Sequence, residues 1–375
     1  MLQFSGFARR VRLVIFRNAN FGISGSGLLL LGSLVACAVS PAAAATIGTL
    51  GNAPCQTCHR AQAIPHAHTA MGNALETVKE CDILKSHPRL TFQKDKYRYL
   101  ITRDGDQSIY EVTDGTQTVR VPIEWAFGLG SAGQTYVFQR DGVYYESRVS
   151  FFKAIQGLDL TMGAAAMEPH DIGQAAGRVM AAREAFDCFN CHSTNAGKQR
   201  QVEEATMRPG IQCERCHGSA TAHLAAVKSG DMQHAAMKKL GAMTTEETSD
   251  FCGQCHRTWS QIATNGPQGV NNVRFQPYRL TNSKCYSVDD PRIRCTACHD
   301  PHNDVVTTPA SYDTKCFACH ADASHSVAKA TAPKCPVATA NCVTCHMPKI
   351  ELPGSHNLFT DHQIRIAKKN GSYPN

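Results

Sequence analysis

Residues 188–217 read CFNCHSTNAGKQRQVEEATMRPGIQCERCH, a stretch that opens and closes on the same figure, Cys-x-x-Cys-His. Working outward, the figure recurs along the chain. In order the copies are CQTCH from Cys55, CFNCH from Cys188, CERCH from Cys213, CGQCH from Cys252, CTACH from Cys295, CFACH from Cys316 and CVTCH from Cys342, here motifs 1 to 7. Every Cys-x-x-Cys pair in the chain carries the following His. Zinc ribbons and fingers also use paired cysteines, but zinc requires no His directly after the second one. Attachment of c-type haem does require it. Two thiols add across the porphyrin vinyl groups, and the adjacent imidazole then comes to lie under the iron as its proximal ligand.

The pattern predicts seven covalently bound c-type haems (iron). The attachment residues are Cys55, Cys58, Cys188, Cys191, Cys213, Cys216, Cys252, Cys255, Cys295, Cys298, Cys316, Cys319, Cys342 and Cys345. His59, His192, His217, His256, His299, His320 and His346 are the proximal iron ligands. Six of the motifs crowd into the 159 residues from Cys188 to His346. An ordinary apolar core does not fit that density, so the porphyrin plates must serve as core and folding must depend on loading, as it does in metal-dependent domains. The expected fold is mainly α with much irregular structure, a multihaem cytochrome c fold built around stacked haems, with a small antiparallel β insert.

The formal charge of +7 falls to +3 once the first 45 residues, with four Arg and no acid, are set aside. Each ferric haem adds two propionates and one positive iron-porphyrin centre, about −1, so the loaded chain carries roughly −4. The charge therefore gives no argument for a nucleic-acid partner. Residues 1–45 read as a signal peptide, with Arg9, Arg10, Arg12 and Arg17 ahead of the apolar run Gly27 to Ala36. Two cleavage sites compete. Leu34-Val35-Ala36-Cys37 fits a lipobox that would leave Cys37 acylated as a membrane tether, and Ala42 to Ala45 fits ordinary cleavage before Thr46. We favour the lipobox; an uncleaved anchor over residues 21–40 is a third outcome. Each places the globular part on the periplasmic or cell-surface side of a bacterial membrane, where thioether chemistry and disulfides are at home.

Motif 2 starts 133 residues after the start of motif 1, which leaves a long stretch between them. Its segments 96–102 (KYRYLIT), 108–112 (SIYEV), 116–121 (TQTVRV) and 135–150 (TYVFQRDGVYYESRVS) alternate and are rich in Tyr, Val and Thr, with Asp104-Gly105, Asp114-Gly115 and Asp141-Gly142 at turn positions. The division expected is a first haem segment at 46–88, an antiparallel β insert at 89–157 acting as cover or docking surface, and a six-haem cytochrome domain at 158–375. Helices are expected over Asp171 to Phe186 and over Ser219 to Leu240, the latter weak at Gly230. Thr244 and Glu247 spell a capping box leading into motif 4.

Ten His lie outside the motifs. Seven irons need sixth ligands, and the candidate distal residues are His68 (with His66 or Met71 as substitutes) for the first haem, together with His170, His223, His302, His325, His356 and His362. His87 and His234 are read as surface or hydrogen-bonded residues. His302 follows the proximal His299 by three residues, a reach of at most about 10 Å. That cannot pass around a porphyrin to the opposite face of the same iron, so His302 as a ligand must serve a neighbouring haem. The same argument applies with less force to His223 after His217 and to His325 after His320, where the intervening chain is longer.

CERCHGSATAH (213–223), CTACHDPH (295–302) and CVTCHMPKIELPGSHNLFTDHQIRI (342–366) resemble the multihaem cytochrome superfamily of pentahaem nitrite reductase, octahaem hydroxylamine oxidoreductase and the tetrahaem carriers of ammonia oxidisers. The resemblance implies bis-His haems in parallel and perpendicular pairs, with ligand roles for His223, His302, His356 and His362. It also implies a disulfide between Cys285 and Cys335, with Cys81 then free. In nitrite reductases of the group the catalytic haem usually sits on a motif ending in Lys; all seven copies here end in His. The leading expectation is accordingly an exported carrier of single electrons. Its partners would be redox proteins such as quinol-linked membrane complexes, other cytochromes or terminal reductases. An oxidoreductase of nitrogen or sulfur oxyanions with one open haem, and a subunit of an extracellular haem filament, are the alternatives.

Overall fold

The computed structural model describes residues 52–265, 269–320, 335 and 337–366. The expected signal segment with Cys37, and His325, lie outside the described residues. No helix among those described is long and apolar enough to cross a membrane.

The β region is larger than its sequence suggests. Strands β1 (Leu75–Thr77), β2 (Arg89–Lys94), β3 (Tyr97–Asp104), β4 (Gln107–Thr113), β5 (Thr118–Pro122), β6 (Trp125–Phe127), β7 (Gln134–Arg140), β8 (Val143–Phe152), β9 (Gly157–Leu160) and β10 (Gly177–Val179) build two antiparallel sheets. One is the meander β2-β3-β4-β5; the other runs β1-β6-β7-β8-β10, with β9 also on β8. Strands β1 and β10 and most of β9 lie outside the span 89–157, and the mainly α expectation is met only in part. Alternation sets the packing, because successive side chains on a strand face opposite ways. Tyr99 and Ile101 of β3, Tyr110 and Val112 of β4, and Tyr136, Phe138 and Phe151 of the second sheet share one buried cluster. The β7–β8 turn falls on Asp141-Gly142, as its sequence says, and both residues have positive φ (52° and 75°), the twist a two-residue hairpin prefers.

The other face of the six-stranded sheet packs on motif 2. Trp125 and Val137, one residue out of step with Ala126 and Tyr136, join Leu75, Met180, Ala185 and Phe189 in a second buried cluster. The helix expected over Asp171 to Phe186 is broken into Ile172–Ala176 and Ala182–His192, with β10 between them. Gly177 is the reason: a Cβ there would sit 2.3 Å from the Glu146 carbonyl, so only glycine lets this backbone lie against β8. The helix expected over Ser219 to Leu240 stops early, running Thr221–Ser229 and ending on Gly230 in the left-handed region (φ 78°). Both halves of the Thr244/Glu247 capping box are present on the helix Thr245–His256. Beyond Pro277 the described chain is loops and short helices, with one C-terminal antiparallel hairpin that pairs Lys349–Glu351 with Leu358–Thr360.

Candidate haem-binding sites

Each motif sits on a helix, from Ala53–Cys58 for motif 1 to Cys342–His346 for motif 7. Positions three and four apart share a helix face, so both thiols and the imidazole of a motif are directed to one side. The His amide closes the turn onto the first Cys carbonyl, at 2.8 Å for His59 on Cys55 and 3.0 Å for His299 on Cys295.

Among the described residues, three motif histidines face a second histidine brought from elsewhere. His59 and His223 have ring centroids 6.1 Å apart, His217 and His302 lie 6.2 Å apart with planes within 8°, and His299 and His362 lie 6.2 Å apart. Direct ring stacking is closer than this. Two imidazoles across one metal, with metal–nitrogen bonds of about 2.0–2.1 Å and a ring radius of about 1.1 Å, place their centroids roughly 6.3 Å apart. The pairs thus fit one iron between each.

Nitrogen usage agrees. The Nδ1 atoms of His192, His346 and His362 donate to the carbonyls of Ala74 (2.8 Å), Arg365 (2.7 Å) and Thr360 (3.0 Å). His217 and His223 do the same to Lys238 and Ala235, and His302 Nδ1 contacts Asp300 at 3.0 Å. A ring held through Nδ1 leaves Nε2 as the ligand nitrogen, the usual arrangement at metal sites. Burial pushes the imidazolium pKa down at His192, His256 and His299, and at His362 to about 4. These rings are neutral at pH 7, the state a metal takes up.

The remaining candidates fall elsewhere. His68 is exposed and does not face His59, which has His223 opposite it. It lies just past the helix Arg60–His66 that continues from motif 1. His66 is buried, and its Nδ1 has no hydrogen-bond partner among the described residues. His170 is exposed. His356 turns its Nε2 to Asp159 (2.7 Å) and packs on Phe152, pinning the C-terminal hairpin to β9. His87 has both ring nitrogens engaged, with Ile83 and Gln156, and His234 is an exposed partner of Asp231. Cys285 and Cys335 are free, exposed thiols rather than a disulfide, and Cys81 is free and buried.

The motifs also touch one another. Asn52, before motif 1, accepts from the Cys213 amide (3.1 Å) and thiol (3.0 Å) of motif 3. Arg215 of motif 3 donates to Asn190 of motif 2 (3.2 Å), and Cys191 of motif 2 contacts Gln254 of motif 4 (3.7 Å). The helices of motifs 4 and 5 pack together. Arg292, before motif 5, reaches Ala318 of motif 6 (3.4 Å), and Asp313 of the motif 6 helix caps the Asn341 and Cys342 amides of motif 7 (2.7 and 2.8 Å).

Sequence reasoning missed the buried ion cluster beside His362. Arg279 grips Asp361 through Nε (2.9 Å) and Nη2 (2.8 Å), and Arg365 Nη1 adds a contact at 2.7 Å. Burial alone pushes the Asp361 carboxyl up, and the bonds from Arg279, the Gln363 amide and Arg365 outweigh it, holding the group below its ordinary value. The signal was present as DHQIR in 361–365, but nothing in the sequence pairs it with Arg279, 82 residues away.

Residues 150–218, which contain motifs 2 and 3, match the family model of cytochrome c554 and c-prime. The chain is similar to the multihaem cytochrome MtrA of Shewanella baltica (strain OS185), 24% identical over 157 residues covering 41% of this chain and 38% of that protein. Among solved structures it is similar to the outer cell wall cytochrome OcwA, at 18% identity and TM-score 0.32 over 56% of this chain and 37% of that one. The chain thus spans well under half the length of either relative. With the attachment motifs, these matches make it a multihaem c-type cytochrome, its haems bound covalently.

Proposed function

We propose that this is an exported heptahaem carrier that moves single electrons along closely spaced, mostly bis-His haems. The observation that carries the reading is the three facing histidine pairs at 6.1–6.2 Å, in which the second ring always comes from behind a different motif. His223 serves the iron at His59, His302 the iron at His217, and His362 the iron at His299. Bound haem supplies one-electron chemistry at its iron. The polypeptide orients the axial rings, holds each Nδ1 proton in place and seats the haems beside one another. Inter-motif contacts support an order 1–3–2–4–5–6–7, which departs from chain order only at motifs 2 and 3.

The β insert belongs to this assembly. Ala74 holds His192, and Phe127 stands 5.2 Å from the same ring, so the sheet braces the proximal ligand of motif 2. Thioether attachment at these motifs is chemistry of the space outside the cytoplasm, which supports an extracytoplasmic site with redox proteins as partners. Two measurements test the reading. Pyridine haemochrome assay should give seven haems per chain. Low-temperature electron paramagnetic resonance of the oxidised protein should show low-spin iron at the three facing pairs. A high-spin signal dominating the spectrum would favour an open-haem enzyme, and a zinc-loaded, haem-free protein would sink both readings.

A further inference from the structure

Haem attachment does not require the ion cluster on Asp361, yet the cluster is built to completion. An ionised carboxylate offers about four lone-pair sites. Here Arg279 Nε, Arg279 Nη2, Arg365 Nη1 and the Gln363 amide (3.0 Å) fill them, with the Arg279 and Asp361 side chains 1% and 0% exposed. The segment it anchors, 361–366, is neither helix nor strand. No ladder of its own fixes its register.

That segment reaches two motifs. The residue after Asp361 is His362, opposite His299 of motif 5. Three residues further on, Arg365 is joined twice to motif 7: its carbonyl accepts from His346 Nδ1 (2.7 Å), and its amide donates to the His346 carbonyl (3.3 Å). Ser283, just beyond the helix that bears Arg279, donates to the His362 carbonyl (3.1 Å) and receives the Ile364 amide (2.8 Å).

We propose that Asp361, clamped by Arg279 and Arg365, is a positioning residue that sets His362 and His346 together, one axial ring for each of two haems. Coordination at motif 5 is thereby tied to coordination at motif 7. The inference rests on the ligand role of His362 proposed above. A buried ion cluster is a poor source of net stability, since apolar residues of like volume often replace one without loss. What this one provides is a fixed register for an irregular segment.

Electron paramagnetic resonance of the oxidised, haem-loaded protein tests the proposal. His362→Ala marks the motif 5 signal by removing it, and Cys342→Ala with Cys345→Ala marks that of motif 7 by leaving its haem unattached. Asp361→Asn and Arg279→Lys should shift the g-values of both marked signals and leave the other low-spin signals in place. Arg279→Lys keeps the charge but loses the two-point fork, so a shift there assigns the effect to position rather than to charge. A shift confined to one marked signal, or none at wild-type haem content, overturns the proposal. If Asp361→Asn does not load haem, Arg279→Lys and Arg365→Lys read the same two signals. Loss of haem from all motifs alike in all three variants also overturns it, since the role would then be general folding. If His362→Ala removes no low-spin signal, the ligand reading itself fails, and that result is distinct from the others.

Discussion

Replacing His302 by alanine removes the ring that stands 6.2 Å from His217 and leaves the proximal ligand of its own motif, His299, facing His362 at 6.2 Å. The fold should survive. The side chain is 35% exposed and pairs with Asp300, itself 56% exposed. Exposed pairs of this kind contribute about 0–1 kcal/mol, and Asp300 keeps the His302 amide and Asn303 as donors. The magnitude to read is therefore a stoichiometry. Reduced wild-type protein should bind no carbon monoxide at the three facing pairs, and His302→Ala should gain one equivalent per chain, one iron in seven. His362→Ala should likewise gain one. The double variant decides the assignment: two equivalents if the rings serve different irons, one if they serve the same iron. The near-parallel planes of His217 and His302 (8°) add a signature, because parallel axial rings give a rhombic low-spin signal, and that signal should be the one lost. A single equivalent in the double variant, or none in His302→Ala, refutes the bridging argument.

Phe189→Ala empties a fully buried site between Trp125 (5.8 Å), Phe127 (5.0 Å) and Tyr144 (5.3 Å). It should cost about 3–5 kcal/mol in denaturant unfolding; a loss below about 1 kcal/mol would show the β insert to be a detachable cover. Asp313 is held below its ordinary pKa by the Cys342 and Asn341 amides. Its folded value lies under the unfolded one of about 3.9, so its contribution is fully present above that range and fades as pH falls through the folded value. The stability gap between wild type and Asp313→Ala should accordingly be flat near neutrality and close below about pH 4; a gap that widens in acid would contradict the sign. Cys37→Ala should release the protein from membranes or block its maturation, whereas a mature N-terminus at Thr46 would rule out the acylated form.

Cofactor chemistry was legible in the sequence because it is local. Two thiols and an imidazole on one helical turn need nothing beyond five consecutive residues, and all seven motifs form such turns. The limit of reach is also a local matter: three residues cannot circle a porphyrin, and in the structure the His302 ring stands 6.2 Å from that of His217. The capping box at Thr244 and the hairpin at Asp141-Gly142 were readable for the same reason, each being a contact among near neighbours. Strands β1 and β10 were not. Each has three residues, with no alternation to read, and each is a strand only because β6 or β8 offers it an edge. Nor could spacing foretell which histidine meets which, that Ala74 holds His192, or that Arg279 reaches Asp361. Backbone carbonyls carry no sequence signature, and a partner far along the chain is chosen by how the segments pack, which only the tertiary structure decides.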